Sequence, residues 1–185
     1  YMDILHKISK GSLTCEYDCD MCPNEPGQPR SYLKEEPGVR RGNANKFDPV
    51  LQMHNRLDSY VINGHATDKL EIILLGGTWS SYSKEYRTYF IHNLFYAANT
   101  YFDKREILSL EEETKINETS TCRIIGITIE TRPDQINIEE CIHMRTLCIT
   151  RVQMGMQHTN DDILKRISRR CTDRHFVQAV KMLKQ

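Results

Sequence analysis

The pattern of apolar and polar positions predicts alternating strands and helices. Apolar runs that end in glycine or polar residues predict three strands, at Lys69–Gly77, Ile124–Glu130 and Arg151–Gln157. The first of these runs is continuous, which is typical of a strand buried on both faces. A weaker strand is expected at Asp3–Ser9. Between the strands, apolar residues recur every three to four positions, as on the buried side of a helix.

Short polar residues mark where the predicted helices begin. Asp48 supplies an N-cap, Pro49 suits the first turn, and Gly64 ends that helix. Each later helix is predicted to begin at a short polar residue that can cap the helix or stand in its first turn. These residues are Ser83, Ser109 with Glu112, Asn137 with Glu140, Asn160, and Asp173.

The order of these elements predicts an α/β fold, specifically a partial parallel (βα) barrel. Strand–helix–strand units connect in a right-handed sense around a parallel sheet. A closed eight-stranded barrel takes about 250 residues, and the chain has 185. The chain opens at Tyr1 rather than Met, so we expect a piece of a longer protein, with residues 1–185 forming one incomplete barrel domain.

Composition narrows the class of protein. The 25 basic and 25 acidic residues cancel, so no overall charge marks a histone-like or membrane-surface protein. A hydrophobic fraction of 39% supports a packed core and excludes wholesale disorder. No apolar run approaches the roughly 18 residues of a membrane span, so no membrane partner is expected. Seven cysteines without a secretory signal favour a reducing, cytoplasmic setting.

Three of the cysteines are the strongest chemical signal in the sequence. Cys15, Cys19 and Cys22 have the spacing C-x3-C-x2-C, which suits a metal better than a disulfide framework. Three thiolates on one loop can bind three irons of a 4Fe-4S cluster and leave the fourth iron open to an outside ligand. A structural zinc site would need a remote fourth ligand, because no histidine lies between His6 and His54. Three unrelated thiols are the remaining alternative.

A long irregular stretch, Pro23–Lys46, follows the cysteines directly. Structureless segments of this length in compact domains usually bind a ligand or move. Its position after the cysteines favours binding.

The cysteine spacing ahead of a parallel βα array resembles the radical S-adenosylmethionine (SAM) enzymes. In that family the open iron chelates SAM, and an electron from the cluster cleaves SAM to a 5′-deoxyadenosyl radical. The resemblance implies that the three cysteines are catalytic as well as metal-binding. It assigns SAM contacts to residues near strand ends: Gly76, Gly77 and Thr78 as the glycine-rich motif, Glu130 at the ribose, Gln157, and Arg169 at the SAM carboxylate.

Each of these residues also has an ordinary interpretation. The two glycines can form a turn, Glu130 can cap a helix or pair with Arg132, and Gln157 can simply end a strand. Arg166 or Arg170 can take the place of Arg169.

Longer strings resemble the catalytic subunit of Elongator and its archaeal and bacterial relatives. The most specific is Gly126–Asp134 (GITIETRPD), and Lys46–Pro49 (KFDP) and Ile116–Thr119 (INET) are further examples. This resemblance implies transfer of a carboxymethyl-type group to C5 of the wobble uridine of tRNA, with acetyl-CoA as co-substrate. It implies the anticodon loop and other Elongator-type subunits as partners. It also implies flanking domains outside this chain, an N-terminal part that binds tRNA and a C-terminal acetyltransferase-like domain that binds most of the acetyl-CoA.

Four residues of the long stretch are candidate RNA contacts. Arg40, Arg41 and Lys46 could neutralise phosphates, and Tyr32 could stack on a base. A second basic run lies at Lys165–Arg174. A solvated helix face and ordinary packing of the tyrosine are the alternatives.

The chain also departs from the family pattern. Pro23-Asn24-Glu25 stands where many relatives have Pro-Gly-Gly, and Arg169-Arg170-Cys171-Thr172 replaces Arg-Gly-His-Thr. Two other functions therefore stay open. One is another radical SAM reaction, by a methylthiotransferase or a coproporphyrinogen-oxidase-like enzyme. The other is a non-catalytic metal- or RNA-binding module.

Overall fold

A parallel sheet forms the centre of the protein in the computed structural model, which describes residues 2–5, 15 and 17–185. The sheet order among these residues is β1-β2-β3-β4, so each strand lies beside the strand that precedes it in the chain. All three neighbouring pairs are parallel, which confirms the predicted α/β fold. The strands are β1 (Met2–Leu5), β2 (Lys69–Leu75), β3 (Arg123–Thr131) and β4 (Arg151–Met154).

Helices lie between the strands, as the sequence predicts. They are α1 (Pro37–Ala44), α2 (Pro49–Ile62), α3 (Lys84–Thr100), α4 (Leu110–Asn117), α5 (Ile138–Thr146), α6 (Asp161–Arg166) and α7 (Asp173–Leu183). Two short 3-10 turns follow strand ends, at Trp79–Ser81 and Pro133–Gln135. Within the described residues, none of the helices combines the length and apolar character that a membrane crossing requires.

Several predicted helix starts are confirmed by capping hydrogen bonds. The Asp48 carboxylate accepts the backbone N–H of Leu51 at 2.8 Å, and Asn160 caps α6 through its side-chain oxygen. Ser109 and Glu112 form a reciprocal capping box at the start of α4. These local contacts satisfy backbone donors that a helix leaves unpaired at its first turn.

At one other helix start the predicted capping residue has a different partner. Asn137 accepts the backbone N–H of Glu140, but the Glu140 carboxylate does not complete a capping box. It forms a buried ion pair with Arg87 of α3 instead, because the tertiary partner lies within reach. Helix α7 begins at Asp173, as predicted, and Thr172 is its N-cap residue.

Strand ends also differ from the sequence boundaries. β2 stops at Leu75, before the two glycines, and β4 stops at Met154, before the predicted end at Gln157. Gln157 has a φ of 74° and therefore cannot continue the strand. The predicted strand at Asp3–Ser9 corresponds to β1 at its beginning, and its residues 6–9 lie outside the described part of the chain.

The stretch predicted to be irregular contains a helix, which is a correction. Helix α1 begins at Pro37 and includes Gly38 and Gly42, both poor helix formers in isolation. Its Val39 is fully buried and packs with Phe47. The helix therefore depends on tertiary packing, which propensity does not reveal.

The main hydrophobic core lies between the sheet and the helices. Along β2, Leu70, Ile72 and Leu74 are buried while the residues between them are half-buried. The continuous apolar run is therefore fully covered on one face and only partly on the other. Fully buried members of the core are Met53, Leu57, Ile72, Trp79, Phe90, Ile91, Leu94, Ala97, Cys122, Ile127 and Ile129.

A buried carboxylate organises the connection between α3 and α4. Glu113 is fully buried, and its carboxylate accepts hydrogen bonds from both terminal nitrogens of Arg105, at 2.7 and 2.6 Å. It also accepts Asn99 Nδ2 at 2.8 Å and the backbone N–H of Leu108 at 3.0 Å. Burial alone would raise the pKa of this carboxyl, but these donors outweigh it and lower the pKa from 4.5 to about 2.

Replacing Glu113 by Gln should lower the free energy of unfolding at pH 7 by about 3 kcal/mol, the equivalent of this pKa difference. A carboxylate with a lowered folded pKa stabilises the fold above its unfolded pKa. The difference between the two proteins should therefore shrink as the pH falls from about 4.5 to about 2. Urea unfolding at several pH values measures it. Glu111→Gln, at an exposed neighbouring position, should change the unfolding free energy by less than about 0.5 kcal/mol. Equal stabilities of the Glu113 variant and the parent at pH 7 would contradict the prediction.

Candidate active site

A cavity of about 350 Å³ opens where β2, β3 and β4 end. The carboxyl ends of parallel strands are where α/β folds place their ligand sites. Its lining comes from the cysteine loop (Cys15 and residues 17–22), from the stretch that follows this loop, from the ends of the strands and from Arg169 after α6. The lining residues are Cys15, Tyr17, Cys19, Cys22, Arg30, Ser31, Gly77, Thr78, Glu130, Thr131, Arg132, Gln153, Met154, Gly155, Gln157 and Arg169.

The cavity therefore brings together most of the residues that the sequence singled out. All three clustered cysteines line it, with Gly77, Thr78, Glu130, Gln157 and Arg169. Gly76 is not among the lining residues, and its carbonyl accepts a hydrogen bond from the Tyr82 hydroxyl at 3.1 Å.

The glycine pair permits a close approach between two loops. Gly76 and Gly77 have φ values of 138° and 86°, a backbone region that favours glycine. A Cβ on Gly77 would lie 3.3 Å from the carbonyl oxygen of Arg30. The absence of side chains here thus lets the Pro23–Lys46 stretch pack against the end of β2.

Each of the three clustered thiols has a polar neighbour at its sulfur. Cys15 Sγ lies 3.2 Å from Thr78 Oγ1, and the Ser31 hydroxyl donates to Cys22 Sγ at 3.4 Å. Cys19 is the buried member of the three. Its sulfur accepts hydrogen bonds from the guanidinium N–H groups of Arg132 and Arg169.

The donor chemistry of the three thiols fits an iron–sulfur cluster. Among residues 2–5, 15 and 17–185, no group of three His, Cys, Asp or Glu side chains is positioned to hold one metal ion. The three thiols nevertheless share one cavity. In an iron–sulfur cluster each cysteine sulfur binds a different iron, so the sulfurs need to surround a common space rather than one point. The donor set and its placement therefore fit a 4Fe-4S group.

Glu130 lies next to the end of β3 with its side chain in the cavity wall. Its Oε2 accepts the hydroxyl of Tyr32 at 2.7 Å. Burial raises the pKa of this carboxyl, and the hydrogen bond from Tyr32 lowers it in part. Such a half-buried carboxylate can accept a hydroxyl of a bound ligand.

Arg169 is buried beside the same cavity. One terminal nitrogen donates to the Gly155 carbonyl at 2.5 Å and the other to Cys19 Sγ at 3.8 Å. Of the three arginines that the sequence offered for a carboxylate, Arg169 alone lines the cavity, whereas Arg166 and Arg170 are exposed.

The candidate RNA contacts lie apart from the cavity lining. Arg40 and Arg41 belong to α1, and Lys46 follows that helix. Tyr32 contacts the site through its hydroxyl, which donates a hydrogen bond to Glu130. The rest of its side chain packs against Val39 and Phe47. Base stacking by Tyr32 and phosphate binding by the basic residues stay predictions.

Sequence reasoning did not identify Arg30 and Arg132 as site residues. Both line the cavity, and they are only 8% and 1% exposed. Arg30 forms an ion pair with Asp18 of the cysteine loop, and Arg132 forms one with Asp134. The position of Arg132, two residues after Glu130, was the signal available in the sequence.

The cavity contains one cation, Arg169, that no described carboxylate pairs with. Its lining includes three arginines and one carboxylate, Glu130. A guanidinium without a carboxylate partner can bind an anionic ligand group such as a carboxylate.

Comparison with known proteins identifies the class to which this sheet and site correspond. No protein-family model matches the chain. Individual proteins do match it over most of its length, and they are the tRNA uridine(34) acetyltransferases and the Elongator complex protein 3 group. The resemblance to the Elongator catalytic subunit family is confirmed by these homologues.

The particular relatives include archaeal and human proteins. The tRNA uridine(34) acetyltransferase of Methanocaldococcus infernus is 40% identical over 84% of this chain, which covers 28% of that protein. Human Elongator complex protein 3 is 35% identical over 88% of this chain, which covers 29% of that protein. The solved structure of M. infernus Elp3 with an N-terminal deletion matches with a TM-score of 0.70 and 39% identity, over 75% of this chain and 32% of that one. The chain thus spans about 30% of the length of these relatives.

Replacing Tyr32 by Phe should raise the pKa of Glu130, because the lost hydroxyl donates to the charged form of the carboxyl. Carbon-detected NMR titration of labelled glutamate side chains measures the change. Tyr89→Phe, at an exposed position of α3, should leave the Glu130 titration where it was. An unchanged Glu130 pKa in the Tyr32 variant would show that the hydrogen bond does not stabilise the carboxylate.

Proposed function

We propose that this chain is the cofactor-binding core of an enzyme that modifies the wobble uridine of tRNA. One observation carries the proposal: Cys15, Cys19 and Cys22 meet Glu130 and Arg169 at a single cavity. This cavity belongs to a chain that is 40% identical to an archaeal protein named tRNA uridine(34) acetyltransferase.

The three cysteines hold a 4Fe-4S cluster through their thiolates in this proposal. The group would supply the electron that generates a 5′-deoxyadenosyl radical from SAM. Support comes from the soft donor set and from the shared cavity, whose described lining contains three cysteines and no fourth, which would leave one iron for an outside ligand.

The remaining residues bind and orient SAM. Arg169 is the partner for the SAM carboxylate, since it is a buried cation that pairs with none of the described carboxylates. Glu130 accepts a ribose hydroxyl, and the backbone at Gly76, Gly77 and Thr78 meets the amino group. Gln157 closes the site where the chain leaves β4.

The substrates are the anticodon loop and acetyl-CoA. In this proposal the deoxyadenosyl radical would take a hydrogen atom from the acetyl methyl, and the methyl carbon would bond to C5 of the uracil. The adduct would lose one electron to the oxidised cluster and the C5 proton to water, and hydrolysis of the thioester would release CoA and leave the carboxymethyl group. A carbon radical reacts with what lies nearest, so the site must exclude water and hold the reacting groups in contact. The uracil must also leave its stack, which costs little in a single-stranded loop.

The partners follow from charge and from the relatives. The chain has no net charge, so tRNA phosphates would be bound by local basic groups such as Arg40, Arg41 and Lys46. Acetyl-CoA would be bound mainly by a domain outside this chain, and other Elongator-type subunits would join the complex.

Anaerobic reconstitution of the protein with iron and sulfide should give a reducible cluster whose EPR spectrum changes when SAM is added. Cys19→Ala should lose at least about nine-tenths of the bound iron, because two thiolates do not hold the cluster. Cys148→Ala is the matched control, since this exposed thiol lies beside Gly126 and Thr150, at the other end of the sheet from the cysteine loop. It should keep the iron content of the parent.

The outcomes separate the proposal from its alternatives. About one zinc per chain and no iron would establish a metal-binding module instead. Suppose instead that the cluster responds to SAM, but the wobble uridine stays modified in cells that lack the full-length gene. This result would point to another radical SAM reaction.

A further inference from the structure

We infer that Arg132 is a positioning residue that sets the reduction potential of the cluster. The inference rests on the proposed function, because it concerns the group proposed for the three cysteines. It goes beyond that proposal by assigning a role to a buried guanidinium that no SAM contact requires.

Arg132 follows β3 directly and is only 1% exposed. Its NH1 group donates to Cys19 Sγ at 3.5 Å. Its Cζ atom lies 3.5 Å from the centre of the Tyr17 ring, which belongs to the same cysteine loop. One guanidinium therefore holds the end of β3 against two residues of that loop.

Two anchors fix this guanidinium in place. Asp134 accepts Nε and NH2 at 2.9 Å each, in the bidentate geometry typical of arginine and carboxylate. The same NH2 donates to the Arg169 carbonyl at 2.6 Å. A lysine cannot make this set of contacts, because it lacks the planar fork.

Positive charge converges on one of the three sulfurs. Cys19 accepts N–H groups from both Arg132 and Arg169, at 3.5 and 3.8 Å. Cys15 and Cys22 instead have the neutral hydroxyls of Thr78 and Ser31 beside their sulfurs. Since Cys19 is also the most buried of the three, water screens its surroundings least.

Reduction adds one electron, supplied by an external reductant, to the group that these sulfurs bind. N–H donors at the ligand sulfurs and nearby positive charge stabilise the added electron and raise the potential. Arg132 supplies both, and the Asp134 carboxylate offsets part of its charge. Removal of either member of the pair should therefore move the potential, in opposite directions.

The test compares Arg132→Gln, Asp134→Asn and Arg123→Gln after anaerobic reconstitution. Arg123 is the matched control, because it begins the strand that Arg132 follows and is paired with exposed Asp68 at the other end of the sheet. Iron content is measured first. The midpoint potential is then measured by redox titration followed by EPR, a readout independent of turnover.

At the parent midpoint potential, Arg132→Gln should show a reduced-to-oxidised ratio about tenfold lower, a shift of about 59 mV for one electron. Asp134→Asn should show a higher ratio than the parent, and Arg123→Gln an unchanged one. A purely structural role for Arg132 would loosen the cluster in both site variants without opposite shifts.

Each outcome decides the inference. If Arg132→Gln fails to fold or to load iron, the upward shift in Asp134→Asn supports the inference, and an unchanged or downward potential there overturns it. A loaded Arg132→Gln variant at the parent potential also overturns it, while the proposed function stands. A parent protein that takes up no iron contradicts the proposed function and the inference with it.

Discussion

The parallel pairing of β2, β3 and β4 is the constraint on which the site depends. The register places Leu74 opposite Ile129 and Glu130 opposite Gln153. All these strands therefore end at the same edge of the sheet. Side chains alternate between the two faces of a strand, so Ile127 and Ile129 face the helical core while Glu130 faces the cavity. A slip of one residue would exchange these faces and remove the carboxylate from the site.

The cysteine loop joins this edge mainly through charged and polar contacts. Arg30 forms an ion pair with Asp18, and Arg132 contacts Tyr17 and Cys19. The hydroxyls of Thr78 and Ser31 lie within hydrogen-bonding distance of the sulfurs of Cys15 and Cys22, respectively. The buried members, Arg30, Arg132 and Cys19, favour one arrangement, because an unpaired polar group would be costly away from water. The loop is thus positioned by partners from the strand ends and from the stretch that follows it.

The relatives and the geometry support the proposal in different ways. Identity of 33–40% over most of the chain relates it to proteins named for uridine 34 of tRNA or for Elongator. The cavity supplies a chemical reason for that likeness, since soft thiols, a buried cation and a half-buried carboxylate meet in it. The chain covers about 30% of the length of these relatives.

The amino-acid sequence by itself determined the group of three cysteines, the order of the elements other than α1, and the residues at which most of the helices begin. These features are local: caps such as Asp48 act within one turn, and the apolar run of β2 reports burial directly. It also determined the likeness to a family, because strings such as Gly126–Asp134 are read without any structure.

Only the tertiary structure decided the partners of the charged residues. Helix α1 contains two glycines and is nevertheless stable, because Val39 is buried in contact with Phe47. Glu140 pairs with Arg87 across two helices rather than within its own capping box. Arg132 meets Cys19, 113 positions away in the chain. Contacts between residues so far apart depend on how the whole chain packs, and local pattern carries no record of them.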